Sequence, residues 1–539
     1  MKNIRKRNFR SVLLLALAVF TALAFTACSG KDADSKGTDG TDAKKSDTLV
    51  VGLTGSLATL DLNQNAGIVD YYVAAISQEG LTAVSNEGKL VPGLAESWET
   101  SEDGTTWTFK LRADAQFYDG SAVTAEDVVF SAERARDPEK SPGVASYFPW
   151  YVDEIKATAP DEVTFTLDGP HPGFLWNISN SGVLLVSKKS EVEAAKSYGS
   201  PEDLISGTGP YKPVEFVPGS HVTYEYSETW RGEKPQFQTI RFDFIEDNNT
   251  RLLAFKQGDI DFTYNIPSDS EADWSSVEGS KVFFVSDRSY QGLTFNPNLK
   301  PFDDIHVRKA VAYAIDGQGI VDGLLKGHAQ AATAITAPEQ YAIAWDITKA
   351  NEEVASVTHY EYNIEQAKAE LAQSKYQAAD LKAEVTYPAS DQNLGKAVLA
   401  IAESLKSIGF ELKVTEEPIE QWLTKVSDGQ QAVATMSYIP TTGEPGEIDA
   451  WLTYADGESN PALWKNDEAL KNTEAGLSAT DNESQAQYVI AAEDLAGKEA
   501  IYAPIYWGQS GIAFGKGVSA ENYNSFTLLA NWPYLFKKD

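Results

Sequence analysis

The chain has 539 residues, 78 of them acidic against 45 basic, for a formal charge of −33. Such a surface repels nucleic acid and anionic lipid, so neither is an expected partner; solubility alone accounts for an acidic excess of this kind. A single cysteine excludes an intramolecular disulfide and any cysteine-based zinc site.

Lys2, Arg5, Lys6, Arg7 and Arg10 open the chain without an acid, and Val12 to Phe25 follow as an apolar stretch of 14 residues broken only by Thr21. That is short for a membrane span and the right length for the core of a signal peptide. It ends in Phe25-Thr26-Ala27-Cys28, which resembles a lipobox with Phe in place of the more usual Leu. The expectation is a lipoprotein signal peptide over 1–27, cleavage before Cys28 and acylation of its sulfur. A stray thiol in a plain secretory signal is the alternative. Residues 28–47 are then the acylated cysteine and a tether that lacks any large apolar side chain and stays disordered. As a flexible coil the tether would reach roughly 25 Å from the lipid. No later apolar run is long enough to cross a membrane, and about 490 residues remain from Thr48, enough for two or three domains.

Leu49 to Thr54 (LVVGLT) reads as a strand. Ser101-Glu102-Asp103-Gly104 reads as a hairpin turn, because Asp-Gly supplies the positive φ of a tight turn. Trp107, Phe109 and Leu111 then alternate with Thr108 and Lys110, the period of a strand with one buried face. After a second turn at Asp119-Gly120, Thr124-Ala-Glu-Asp127 is a capping box with Asp in place of Glu or Gln. The helix it opens carries Val128, Val129, Ala132 and Ala135 and stops before Asp137-Pro138. Strands with aromatic alternation follow at 161–167, 221–227 and 238–245. Asn249-Thr250 is expected to cap a helix that ends at Gly258 and leads to a short strand after Asp259. Residues 306–315, 364–372 and 397–408 have helical apolar period, the last closed by Gly409 as a left-handed cap. With strands at 381–387 and 410–414, that last helix completes a β-α-β unit, so the second half contains α/β layers.

The block Leu90 to Pro138 resembles the signature of the extracytoplasmic solute-binding proteins of peptide-type ABC transporters, the oligopeptide- and dipeptide-binding family 5. The same family is resembled, in order, by Gln78-Glu79-Gly80-Leu81, Gly207-Thr208-Gly209-Pro210-Tyr211, Phe255 to Asp261, Phe295 to Asp316, Ser404 to Gly409 and Asn531-Trp-Pro-Tyr534. The resemblance implies an α/β, two-lobed periplasmic-binding-protein-like fold (type II, three subdomains) with a hinged ligand cleft. Lobe I would comprise 48–90, 201–290 and 506–539, with 91–200 as its subdomain, and lobe II would comprise 291–505. A small peptide would be captured as the cleft closes and delivered to a membrane permease. The expected protein is a monomer on the extracytoplasmic face of the cell membrane, held there through the lipid anchor only. No cofactor and no catalysis are implied.

In peptide-binding members the ligand lies extended, much like an added strand, and its ammonium pairs with an Asp four residues before a Pro. The matching segment here runs from Tyr438 to Glu447, and that position holds Thr441. An ammonium buried without a counter-charge costs about 3–5 kcal/mol. Either Glu444 or Glu447 takes over, or the ligand has no free amine and the cargo is an oligosaccharide or metal chelate. Glu79, Tyr290, Asn296 and Trp422 are further ligand-binding candidates by the same resemblance, with Ile419 competing for the place of Trp422. A strand-end charge, a core tyrosine, a turn former and a helix-face core residue are their respective structural readings.

The other classes have less to build on. Five histidines, at 171, 221, 306, 328 and 359, form no i, i+4 pair, so no metal site is expected. There is no His-Glu-x-x-His helix, and Gly508-Gln-Ser510-Gly falls one residue short of a nucleophile elbow, so a surface enzyme is not expected either. A structural surface lipoprotein would need no closing cleft.

Overall fold

The computed structural model describes residues 47–539 apart from 150, 172, 428, 441, 449–459 and 480. The expected signal peptide, Cys28 and nearly all of the expected tether therefore lie outside the described residues, as does Thr441.

The hairpin at Ser101–Gly104 forms as its residues dictate. Gly104 has φ +71°, its N–H bonds to the Ser101 carbonyl, and Asp103 accepts the Ser101 hydroxyl at 2.6 Å. The flanking strands Ala95–Thr100 and Thr106–Leu111 pair antiparallel, Trp98 opposite Phe109. Two further strands, Glu162–Leu167 and Val152–Ala159, complete a four-stranded sheet. Phe109 and Leu111 point inward and meet Phe165 and Phe174 in one core. The helix Ala125–Ala135 packs on this core. Thr124 caps it as a reciprocal box: the Asp127 N–H donates to Thr124 Oγ1 at 3.3 Å, and the Thr124 N–H donates to Asp127 Oδ2 at 3.1 Å.

Among the described residues the main sheet has nine strands, and towards one of its edges lies a pair of unusually long ones, Lys281–Phe295 and Tyr502–Phe514. They run antiparallel from Lys281 opposite Phe514 to Thr294 opposite Tyr502. The first part of the pair is flanked by Phe262–Ile266, Thr48–Leu53, Thr239–Phe244, His221–Tyr226 and Tyr211–Val217, and shares a core with Val51, Phe242 and Trp532. The far part pairs with Val433–Tyr438 and enters a second core through Leu293 and Phe295. The register shifts between Ser286 and Tyr290, where Arg288 takes φ +63°.

The β-α-β unit is present. Lys382–Pro388 and Glu411–Glu417 pair parallel, Val385 beside Val414. The helix between them, Gln392–Ser407, begins five residues before the expected start, because Asp391 caps the Leu394 N–H. Gly395 inside it lets the helix close on the Tyr387 ring, which a side chain at 395 would strike. One cap differs from expectation. The helix Asn248–Gln257 is capped by Asp247, two residues before the expected Asn249-Thr250 pair opens. An ionised carboxylate accepts both the Thr250 N–H and hydroxyl there, at 2.8 and 2.7 Å, a stronger acceptor than the Asn amide.

Candidate functional site

The loop 438–447 is held from several directions. Tyr438, at the end of its strand, donates its hydroxyl to Glu447 Oε1 at 2.9 Å. The other Glu447 oxygen accepts the Thr442 N–H and hydroxyl, at 2.9 and 2.5 Å. Glu444 is only 9% exposed and accepts the Gln485 amide at 2.7 Å, while Gln340 donates to its backbone carbonyl at 3.2 Å. Burial first, and the neighbouring Glu447 second, push the Glu444 carboxyl up to about 7, against the pull of the Gln485 hydrogen bond.

The opposite wall comes from the first half of the chain. The Glu444 carboxylate sits where a side chain at Gly173 would collide with it, and the Trp176 ring packs at Gly443. Tyr71 feels the charge of Glu447, and Tyr151 that of Glu444. Tyr147 stands within electrostatic reach of Tyr438. Burial is the main cause holding the Tyr71, Tyr151 and Tyr438 hydroxyls above their ordinary range.

Arg288 ties these parts together. It is 2% exposed and makes none of the ion pairs found among the described residues. Its guanidinium donates to Gln340 Oε1 at 2.5 Å, to the Thr442 carbonyl at 2.6 Å and to the Pro440 carbonyl at 3.4 Å, and it lies 4.1 Å over the Phe526 ring. Beside it, a crevice of about 50 Å³ is lined by Tyr72, Asp287, Ile439 and Pro440 among others. Burial raises the carboxyls of both Asp287 and Asp391.

The structure brings Tyr438, Glu444 and Glu447 together and sets Tyr290 opposite Tyr438 in the adjoining strand, whereas Glu79, Asn296 and Trp422 contact other parts of the chain. Tyr290 is fully buried in a core with Ile335, Trp345 and Met436, within the part of its strand, 288–295, in which every residue is buried. Asn296 is buried and holds a turn, donating to the Gly429 carbonyl and accepting the Asn298 N–H. Trp422 is 5% exposed and donates its indole N–H to Thr435 at 2.8 Å, on the inner face of the helix Ile419–Ser427. Glu79 forms a two-pronged ion pair with Arg231 at 2.9 and 2.5 Å, remote in contacts from the 438–447 loop. Each makes packing or hydrogen-bond contacts of the structural kind that its residue type also allowed. The residues that sequence reasoning missed are Arg288, Gln340, Gln485, Tyr71, Tyr147 and Tyr151. Only Arg288 left a trace, as a charged Asp-Arg pair in the middle of a 15-residue strand.

Among the described residues no group of three or more His, Cys, Asp or Glu is placed to hold a metal, and no helix is long and apolar enough to cross a membrane. A pair of long strands joining two cores, with a loop folded across the crossing, is the architecture of a solute-binding protein. Residues 89–460 match the bacterial extracellular solute-binding proteins, family 5 (middle region), and the chain belongs to that family. It is 27% identical over 456 residues to the dipeptide-binding protein DppE of Bacillus subtilis, covering 80% of this chain and 81% of that protein. Among solved structures it resembles the Haemophilus influenzae OppA complex with the peptide RPPGFSPFR, at 22% identity and TM-score 0.69, over 92% of this chain and 99% of that one. It also resembles Campylobacter jejuni NikZ in complex with Ni(L-His), at 20% identity and TM-score 0.73, over 92% of this chain and 100% of that one. The fold is thus the two-lobed, type II α/β fold of the periplasmic binding proteins.

Proposed function

We propose that this chain is the lipid-anchored binding component of an ABC importer that captures short peptides and delivers them to a membrane permease. Lobe I would comprise 48–90, 201–290 and 506–539 with the subdomain 91–200, and lobe II 291–505. The ligand would lie between them, against the loop 438–447. The observation that carries this reading is the pair Glu444 and Glu447, two carboxylates within one loop, walled by tyrosines, in the segment where relatives of this kind hold a ligand's amine. The name of DppE and the peptide in the OppA complex support a peptide as the cargo. The test is mass spectrometry of small molecules released by denaturing the purified protein. Short peptides are expected. A sugar or a metal chelate, without peptide, would refute the peptide reading and make the Thr441 position a mark of changed cargo, as the Ni(L-His) bound by NikZ illustrates for this fold.

A further inference from the structure

Two carboxylates beside the crossing of the long strands have no partner of opposite charge. Asp287 accepts the Ser289 N–H at 2.9 Å. Asp391 accepts the Leu394 N–H at 2.9 Å and the Ser437 hydroxyl at 3.4 Å. Neither makes an ion pair among the described residues. Arg288, next to Asp287 in the chain, spends its guanidinium on Gln340 and the loop carbonyls instead.

The strand register sets both acids over one face of the main sheet. Ser437, Gln291 and Tyr506 stand opposite one another across three adjacent strands. Their side chains therefore form a row on a single face, stepping about 4.8 Å from strand to strand. Asp391 meets the row at Ser437. Gly508 lies two residues beyond Tyr506 and so faces the same way. A Cβ there would stand 2.8 Å from Asp287 Oδ1, which sets the second carboxylate beside the Tyr506 end. Burial raises the Asp391 carboxyl and the charge of Asp287 adds to it; burial, then the charges of Asp391 and Asp287, hold up the Tyr506 hydroxyl.

Tyr506 is only 5% exposed, and its hydroxyl has no hydrogen-bond partner among the described residues. Unlike the Tyr290 hydroxyl, it is not sealed from solvent. A buried hydroxyl left unpaired and open, in a row with two acids that lack a cation, calls for a charged donor.

We propose that Asp287, Asp391 and Tyr506 form a side-chain subsite that gives the cleft a preference for peptides carrying a lysine or arginine. The proposal rests on the peptide reading above and adds the charge of the cargo to it. A long-stemmed cation brings N–H donors for the carboxylates and for the Tyr506 oxygen, which accepts as well as donates. The subsite adjoins the loop 438–447: Ser437 immediately precedes Tyr438, and Asp287 lines the crevice beside Ile439 and Pro440.

The test is titration calorimetry of the purified full chain with the three tripeptides that carry one lysine among alanines. Their counterparts with norleucine, which has a similar stem without the charge, serve as the reference. At least one lysine peptide is expected to bind about tenfold to a hundredfold more tightly than its norleucine counterpart. Asp287→Asn and Asp391→Asn are each expected to cut that ratio about tenfold, and Tyr506→Phe by about threefold. Asn retains the helix cap at 391; if that variant does not fold, the other two carry the test. Glu444→Gln is expected to weaken lysine and norleucine peptides alike. Equal affinities within every lysine and norleucine pair overturn this proposal and leave the peptide reading standing, whereas failure of all six peptides to bind overturns both. A ratio that survives in the Asn variants, or variants that weaken both members of a pair equally, also overturn it.

Discussion

Lowering the pH from 7 to 5 is expected to weaken capture of an amine-bearing peptide by up to ~100-fold, through Glu444. Its carboxyl titrates at about 7 because it is buried and stands beside Glu447. An ammonium pairs with the ionised form, so below pH 7 the carboxyl must first lose its proton. That costs 1.36 kcal/mol, a factor of ten, per pH unit, and two units give the ~100-fold. The peptide's own amino group, with an ordinary value near 7.7–8.0, stays charged across this window. Stability responds with the opposite sense. The unfolded carboxyl titrates at 4.5 and the folded one at about 7, so between those values the folded chain binds more protons. Stability then falls as pH rises through the window, by ~3 kcal/mol in all. The assay is titration calorimetry with trialanine in two buffers of different ionisation enthalpy, which counts protons released on binding. Near one proton per peptide is expected at pH 5.5, and Glu444→Gln is expected to flatten both the affinity and the stability profiles. An affinity flat from pH 7 to 5, or a slope that persists in Glu444→Gln, would refute the assignment.

Arg288→Lys is expected to lower peptide affinity about tenfold and to lower stability by about 2–3 kcal/mol in urea unfolding, because an ammonium cannot reach Gln340, Thr442 and Pro440 together. Glu79→Gln leaves Arg231 without its carboxylate in a mostly buried place, so a loss of about 2–4 kcal/mol in the same assay with unchanged trialanine affinity is the expected outcome. Thr124→Ala removes one half of a capping box and is expected to cost ~1 kcal/mol. Cys28→Ala is expected to abolish metabolic lipid labelling; labelling that persists would sink the anchor assignment.

The elements written in local code were legible. Asp103-Gly104, the Thr124–Asp127 box and Gly409 each act over a few residues, and the structure places turns, cap and helix end at those positions. The β-α-β unit was legible because its periods change from two to 3.6 and back within 35 residues. The site was legible only as a loop. Whether Tyr290 or Arg288 faces inward depends on the register of two strands paired across more than 200 residues of sequence, and on the shift between Ser286 and Tyr290. No local pattern encodes either. Asn296 and Trp422 are ambiguous in sequence for a related reason: a polar or aromatic side chain beside a cleft and one that closes a buried turn or helix face have the same sequence signature. Only the partner, Gly429 or Thr435, distinguishes them.

The hydrogen-bond inventory separates the two acids that the sequence left interchangeable. A carboxylate offers about four acceptor sites. Glu447 spends three on Tyr438 and on the two Thr442 donors, all within its own loop, so it acts as the clamp that sets the loop's shape. Glu444 accepts one side-chain bond, from Gln485, and carries the raised titration that an uncompensated buried charge produces. An arriving ammonium would relieve that penalty at Glu444, whereas at Glu447 it would have to displace bonds already made. On the proposed peptide reading the anchoring charge is then Glu444, three residues after the position Thr441 occupies. Arg288 feels the charges of Glu447 and Asp287 without forming an ion pair with either: its guanidinium bonds to carbonyls and an amide and holds the loop in place, which on the proposed reading leaves the Glu444 charge for the ligand.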